Sequence, residues 1–453
     1  MIIMKKFFSL SLILLFLMSC DKDDSGSSRM LDMAMVKLNI SDAEMLALCG
    51  NETKTKSDQQ GSDLFKIDKN GKMSAVFWVV PGTTDTLSIV PNLILPLSAE
   101  YVLFSGINVS CNNPNSYYYI PGDSYVIRKK DGAVFKIDEE KYPDFQYLYR
   151  AYYNAGDKDL NPRTDKLNNA YCLAGDGASY SPSKVYKFAL GSLSDITMQK
   201  VNLDQFPVGS YNTHPFEVDF KGNCITFVSN DRVILYKAEG GLYEFPQEEN
   251  VFNYFVGYNG DLYCCSYPNE KNYSSNKQYK IYPLEVGAQV LYDFENAVSK
   301  TTQTSYSGSD SRIYTLENKY IHVLVATDDT NNMLVYNSKE ETIKEVGFTP
   351  GTLEDVVGVS NNSIYRIMDN KIYKYDFVSD EKDITPIDFD FSSCTVYKKW
   401  SAYNVPNGSK FILGAIRNSD MAKLRIEVDM ESGKATVFED MQDRPIVTLV
   451  QIR

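Results

Sequence analysis

Histidine is nearly absent: His214 and His322 are the only two in 453 residues. That scarcity leaves little capacity for imidazole acid–base work or for a multi-histidine metal centre. His214 precedes Pro215, and His322 lies inside the apolar run Tyr320-Ile321-His322-Val323-Leu324, with no serine, cysteine or carboxylate pattern nearby to complete a triad. Cysteine is sparse too. Apart from Cys20 there are Cys49, Cys111, Cys172, Cys224, Cys264, Cys265 and Cys394, without a C-x-x-C spacing or an adjacent histidine. Most sit in apolar runs such as Asn223-Cys224-Ile225-Thr226-Phe227, where a lone cysteine acts as a small core residue. No Lys/Arg-rich run interrupts a balance of 46 basic against 59 acidic side chains. An excess of negative charge repels phosphate backbones, so nucleic acid is excluded as a partner. The apolar run at the start, Phe7 to Met18, is 12 residues long. A helix crossing the hydrocarbon core needs about 20.

That short run is informative for what it does contain. Lys5 and Lys6 precede it, and Leu17-Met18-Ser19-Cys20 ends it, the layout of a secretory signal segment with a small residue before the cut. The ending resembles the lipobox of bacterial lipoproteins, with Met18 a less usual occupant. The resemblance implies cleavage before Cys20 and lipid on its thiol. Residues 1–19 are then removed, taking two lysines and no acid, and the remaining chain carries 44 basic and 59 acidic side chains, a net charge of −15. Behind the cysteine, Asp21-Lys22-Asp23-Asp24 runs into Ser25-Gly26-Ser27-Ser28, a stretch that buries no apolar surface. Cys20 with Lys22, Asp23 and Asp24 is similar to the export signal of Bacteroidota surface lipoproteins. That similarity implies an outer-membrane protein, lipid-anchored and facing the cell exterior.

Residues 20–60 are polar and interrupted, and read as a lipidated start and tether with one short helix near Ser41-Asp42-Ala43-Glu44. From Asp63 the texture changes to short apolar strands broken by Gly, Asn, Asp and Pro, which sets a folded body over 61–453. With 33 Tyr and 23 Phe the body favours pleated, half-buried surfaces, and the expected class is all-β. A hairpin recurs: an aromatic-rich strand, a polar turn, then a second strand. Its strands begin near 64, 124, 184, 232, 278, 333, 371 and 423, and two further strand candidates precede most copies. Four strands in roughly fifty residues is the dimension of a propeller blade. The expectation is a single β-propeller of seven to eight four-stranded blades, eight favoured. The first hairpin lacks its two preceding strands and Pro445-Ile446-Val447-Thr448-Leu449-Val450 lacks a partner, so the N- and C-terminal strands would close the ring together. Tandem sandwiches would need a linker near the middle, and no Pro/Ser/Gly-rich break lies between Asp204 and Val356.

Little in the body suggests chemistry. Asp388 and Asp390 in Asp388-Phe389-Asp390-Phe391 would share one strand face, yet an acid-rich chain supplies such pairs by chance. Asp157, Asp159, Asn161 and Asp165 place oxygens at alternating positions, as a wrapped Ca²⁺ site needs. The loop has Pro162 where a sharp turn wants glycine, and Asn168 where a bidentate glutamate would stand. A plain polar loop is the simpler reading, and no other cofactor is implied. Tyr117, Tyr118 and Tyr119, and Tyr152 with Tyr153, flank loops, where tyrosines can stack on sugars or anchor a protein. With no catalytic residue singled out, three roles remain. They are a surface module binding glycan or protein, a propeller enzyme acting on polysaccharide, and a structural part of an envelope complex. The anchored-propeller layout resembles Bacteroidota surface lipoproteins, often encoded near glycan-uptake machinery, which favours the first. Contact with the membrane would run through the Cys20 lipid alone.

Overall fold

In the computed structural model the described residues are Arg29–Met30 and most of 36–49, 64–142, 163–201, 217–268, 280–293, 312–400 and 410–452. They form an all-β structure of nine four-stranded antiparallel sheets, plus one short parallel ladder that pairs Arg29–Met30 with Tyr118–Tyr119. The one helical element among them is a 3₁₀ turn at Phe391–Ser393.

Sheet 1 joins the two ends of the chain. Ile446–Gln451 pairs with Ala43–Cys49, which pairs with Leu64–Asp68, followed by Met73–Ala75. The orphan strand and the incomplete hairpin thus meet in one sheet, with one strand from the C-terminal end and three from the N-terminal end. Sheet 2 consists of Leu93–Pro96, Tyr101–Ser105, Tyr125–Arg128 and Val134–Lys136. Sheets 3 to 8 are simple four-strand meanders within 163–201, 217–246, 249–293, 312–347, 356–386 and 394–438. The eight recurrent hairpins are the third and fourth strands of these sheets, whose third strands begin at Leu64, Tyr125, Pro182, Arg232, Lys280, Asn332, Lys371 and Lys423.

Two expectations fail at the start of the chain. The segment near Ser41 to Glu44 is a turn leading into the strand Ala43–Cys49, not a helix, and that strand is almost wholly buried. The body therefore begins near Val36, which is 1% exposed, well before residue 61. A ninth sheet was not expected either. It pairs Asn108–Cys111, Thr86–Val90, Phe77–Val79 and Lys37–Leu38, and packs into one apolar cluster with sheets 1 and 2 around the fully buried Trp78. Tyr125 meets the Trp78 ring edge-on, centroids 5.4 Å apart; removing so large a buried ring typically costs ~3–5 kcal/mol.

Neighbouring sheets are joined by cores and by polar links at their turns. Sheets 2 and 3 share one cluster that includes Leu103, Val126, Tyr186 and Phe188. The amide of Lys166 in sheet 3 donates to the carbonyl of Phe220 in sheet 4 at 3.0 Å, and the Phe220 amide donates to Gly260 of sheet 5 at 2.9 Å. Phe255 of sheet 5 packs on the ring of His322 in sheet 6, centroids 4.4 Å apart. Separate apolar clusters unite sheets 6 with 7 and 7 with 8. Sheet 8 meets sheet 1 through Ile412, which packs among Met45, Ile67 and Leu449. A second rule recurs at the periphery, where strand twist swings the fourth strand of a sheet toward its neighbour. The fourth strand meets the third-to-fourth turn of the next sheet: Lys344 bonds Asp380 at 2.9 Å, Pro386 lies against Gly433, and Phe438 lies against Gly71.

Candidate functional site

Up-and-down sheets send their first-to-second and third-to-fourth turns to one end and all other connections to the opposite end. The first of these ends carries short turns, two of them capped by aspartates. Asp219 Oδ1 accepts from the Lys221 and Asn223 amides, each at 2.8 Å, and its Oδ2 accepts from Asn223 Nδ2 at 2.6 Å. Burial pushes the Asp219 carboxyl up, and the bonds from Asn223 and Lys221 oppose that shift. Asp165 repeats the device with the Leu167 amide at 2.9 Å and the Asn169 amide and Nδ2 at 3.0 and 2.7 Å. Three residues after each aspartate the backbone is left-handed, at Asn168 (φ 62°) and Gly222 (φ 84°). Glycine is also required there by space, because a Cβ on Gly222 would come within 2.7 Å of the Tyr171 hydroxyl.

The opposite end carries the long connections, over 50–63, 106–124, 137–162, 202–216, 269–279 and 294–311. Two of them, 106–124 and 137–162, leave the same end of sheet 2. The first holds Tyr117, Tyr118 and Tyr119; the second holds Tyr152, Tyr153, Asp157, Asp159 and Asn161. Asp165, by contrast, lies in the first-to-second turn of sheet 3, at the end of the short turns. Tyr118–Tyr119 is a two-residue strand, in register with Arg29 and Met30. Tyr117, Tyr152, Tyr153, Asp157, Asp159 and Asn161 lie outside the described residues, as do Cys20, Lys22, Asp23, Asp24 and His214.

Asp165 itself is 8% exposed, and besides its turn it accepts from the Tyr171 hydroxyl at 2.9 Å. Its oxygens are therefore already engaged by the fold. Asp388 and Asp390 do not share a strand face. Asp388 bridges Lys434 in parallel, while Asp390 caps the 3₁₀ turn through the Ser392 amide at 3.0 Å. The bend at Phe389 between them breaks the alternation. His322 is buried, its Nδ1 3.0 Å from Thr315 Oγ1 and its Nε2 3.0 Å from Ser338 Oγ, a satisfied core histidine. Cys49, Cys172 and Cys394 are buried. Among the described residues no three His, Cys, Asp or Glu side chains gather as a metal cluster.

One group was not legible as a site at all. Lys129, in the hairpin turn Arg128-Lys129-Lys130-Asp131, reads as a solvated charge, yet it is 6% exposed and lines a cleft of about 610 Å³ at the tight-turn end of sheet 2. Burial pushes its ammonium down to about 8. Beside it Arg128 grips Asp131 with Nε–Oδ1 2.9 Å and Nη2–Oδ2 2.8 Å, and this pairing holds the Asp131 carboxyl down to about 2.

No family model matches the chain, and no curated protein matches it. Similar solved structures include Porphyromonas gingivalis dipeptidyl peptidase 4, at 10% identity and TM-score 0.39, covering 77% of this chain and 52% of that one. A putative 6-phosphogluconolactonase from Bacteroides fragilis is similar at 10% identity and TM-score 0.36, covering 78% of this chain and 98% of that one. The WD40 domain of SCAP from fission yeast is similar at 10% identity and TM-score 0.35, with 64% and 73% covered. This chain spans about half the length of the peptidase chain it matches. At such identity no residue role passes from these proteins to this one, because unrelated functions share such folds.

Proposed function

We propose that the eight numbered sheets are blades of one closed β-propeller, tethered to the outer membrane by lipid on Cys20, whose long-connection end binds a glycan or protein ligand at the cell exterior. Closure is supported by Ile412 packing into sheet 1 and by the C-terminal strand completing that sheet. The observation that carries the binding role is the inequality of the two ends. One carries short turns, while the other bears the long connections and, within two of them, Tyr117 to Tyr119 and Tyr152 with Tyr153. Binding residues concentrate on loops held by a rigid scaffold, and tyrosine offers a broad amphipathic face for sugar or protein contact.

The tether bears on how this end is presented. Arg29 pairs with Tyr118 and lies nine residues after Cys20. A chain of that length reaches at most about 30 Å. A lipid on Cys20 would therefore hold the Tyr118–Tyr119 strand close to the bilayer, suited to ligands captured at the cell surface.

Three experiments test the parts separately. A glycan array probed with the chain from residue 21 onward should give hits that weaken when Tyr118, Tyr119, Tyr152 and Tyr153 become alanine; an empty array would move the ligand to protein. Labelling cells with an alkyne fatty acid should tag the protein and not its Cys20→Ser variant, and equal labelling of both would remove the anchor. Protease added to intact cells should cut the wild type and spare a variant with Lys22, Asp23 and Asp24 changed to alanine.

A further inference from the structure

We propose that the cleft around Lys129 is a binding site for a small oxyanion, a carboxylate, phosphate or sulfate, at the end of the propeller opposite the long connections. The cleft is built where three sheets adjoin. Glu100 and Tyr101 come from the first-to-second turn and second strand of sheet 2, and Arg128, Lys129, Lys130 and Asp131 from its third-to-fourth turn. Gly191 of sheet 3 and Ile452, just past the C-terminal strand of sheet 1, form its flanks. The walls are fixed, since the Tyr101 hydroxyl donates to the Gly191 carbonyl at 3.0 Å and the Lys129 amide donates to the Glu100 carbonyl at 2.9 Å.

Into this fixed wall the chain places Lys129, a residue 6% exposed, whose ammonium makes no hydrogen bond or ion pair among the described residues. A buried charge without a partner costs several kcal/mol, and folds normally avoid it by pairing or by exposing the group. Acids are at hand and are used elsewhere. Asp131 is taken by Arg128, with Lys37 at 3.9 Å, and Glu100 stands exposed at the rim. The missing partner is therefore an anion, and about 610 Å³ leaves room for one larger than water. Lys130, exposed beside the cleft, adds a second positive charge at its mouth, against the single opposing charge of Glu100. A local excess of positive charge on a chain with net charge −13 has no role in general electrostatic steering of anions, which the whole surface repels. It acts only at short range, on a ligand that enters.

The groups facing Lys129 define the pH behaviour. Tyr101 is pushed up by burial, Asp131 is held down by Arg128, and Gly191 and Ile452 carry no titrating side chain. Lys129 is thus the group that changes charge as pH rises through about 8. Oxyanion binding should be strong below that pH and fade above it.

The test uses the full mature chain in calorimetry and thermal unfolding with inorganic phosphate, sulfate, glucuronate, neutral glucose and, at matched ionic strength, chloride. Phosphate, sulfate or glucuronate should bind and raise the unfolding midpoint, while glucose and chloride leave it in place; which of the three acts best separates a phosphate or sulfate ligand from a sugar acid. Lys129→Met should weaken binding at least about tenfold, the worth of a charge-assisted hydrogen bond, and Lys130→Met by a smaller factor. Oxyanions no better than chloride, or binding unchanged by Lys129→Met, would overturn the proposal. Should Lys129→Met not fold, acylation of Lys129 in the wild type, mapped by mass spectrometry, decides: phosphate or glucuronate must slow it relative to chloride, and equal rates would also overturn the proposal.

Discussion

Arg425, on the third strand of sheet 8, donates a hydrogen bond to the carbonyl oxygen of Gly71 in sheet 1, a residue 354 positions earlier in the chain. The guanidinium is fully buried, lies 4.0 Å from the centre of the Phe438 ring, and pairs through Nη1 with Glu427 Oε1. Removing one member of a buried ion pair leaves the other uncompensated, typically at a cost of ~3–5 kcal/mol. Arg425→Met should destabilise the protein by about that amount in equilibrium denaturation, since Glu427 keeps only Lys410, at 3.5 Å, as a partner. The double variant Arg425→Met, Glu427→Leu should recover much of the loss. A full loss in the double variant would show that the bond to Gly71, rather than the ion pair, holds the two ends together.

Glycines at the junctions separate two kinds of constraint. Gly433 and Gly82 both have positive φ, 69° and 75°. A Cβ on Gly433 would fall 2.0 Å from the Pro386 carbonyl oxygen, whereas one on Gly82 would meet nothing within 4 Å. Gly82→Ala should cost only the left-handed backbone penalty, about 1–2 kcal/mol. Gly433→Ala adds a clash with backbone that has nowhere to move, and its midpoint in urea should fall well below that of Gly82→Ala. Equal midpoints would mean that sheets 7 and 8 can slide apart at little cost.

The repeat was legible because its signal is local. Each third strand pairs an aromatic-rich run with a polar turn, and each fourth strand returns beside it, so strand period and turn chemistry agree within a dozen residues. Ala43–Cys49 was not legible, for the opposite reason. Ala-Glu-Met-Leu-Ala-Leu are good helix formers, yet the segment is sandwiched between Ile446–Gln451 and Leu64–Asp68, and pairing on both edges overrides the propensity. The ninth sheet was hidden because its strands are two to five residues long and are separated in the chain by strands of sheets 1 and 2. Among the candidate contact residues, only Tyr118, Tyr119 and Asp165 lie within the described residues, the tyrosines as a short strand beside Arg29–Met30. Lys129 gave no signal, since a lysine in a charged hairpin turn looks the same whether it faces water or a cleft.

Lys129 also makes stability depend on pH in an unusual direction. Its ammonium titrates near 8 in the fold against an ordinary value of 10.5. Between these values the unfolded chain binds more protons than the folded one, so stability rises with pH through that window. Below about 8 the burial penalty is present in full, on the order of 3 kcal/mol for a shift of this size. Lys129→Met should therefore be more stable than the wild type near neutral pH, and the difference should shrink as pH rises from 8 toward 10.5. A difference that stays constant across the window would mean that the ammonium finds a partner in solution.

Asp165 decides between a structural turn and a share in calcium binding. Its carboxylate receives two amides, the Asn169 side chain and the Tyr171 hydroxyl, all within 3.0 Å, and Lys187 stands 3.9 Å away. A metal ion with Asp157, Asp159 and Asn161 would have to draw an oxygen out of that set, leaving donors that are themselves buried. The turn therefore predicts that Asp165→Ala lowers stability by roughly 2–4 kcal/mol, the sum of a lost cap and an orphaned buried donor, to the same extent in calcium and in chelator. A joint replacement of Asp157, Asp159 and Asn161 by alanine should leave the unfolding midpoint unmoved in either condition. If instead calcium raises the wild-type midpoint and both variants lose that rise together, the loop binds the ion and the turn rearranges to admit it.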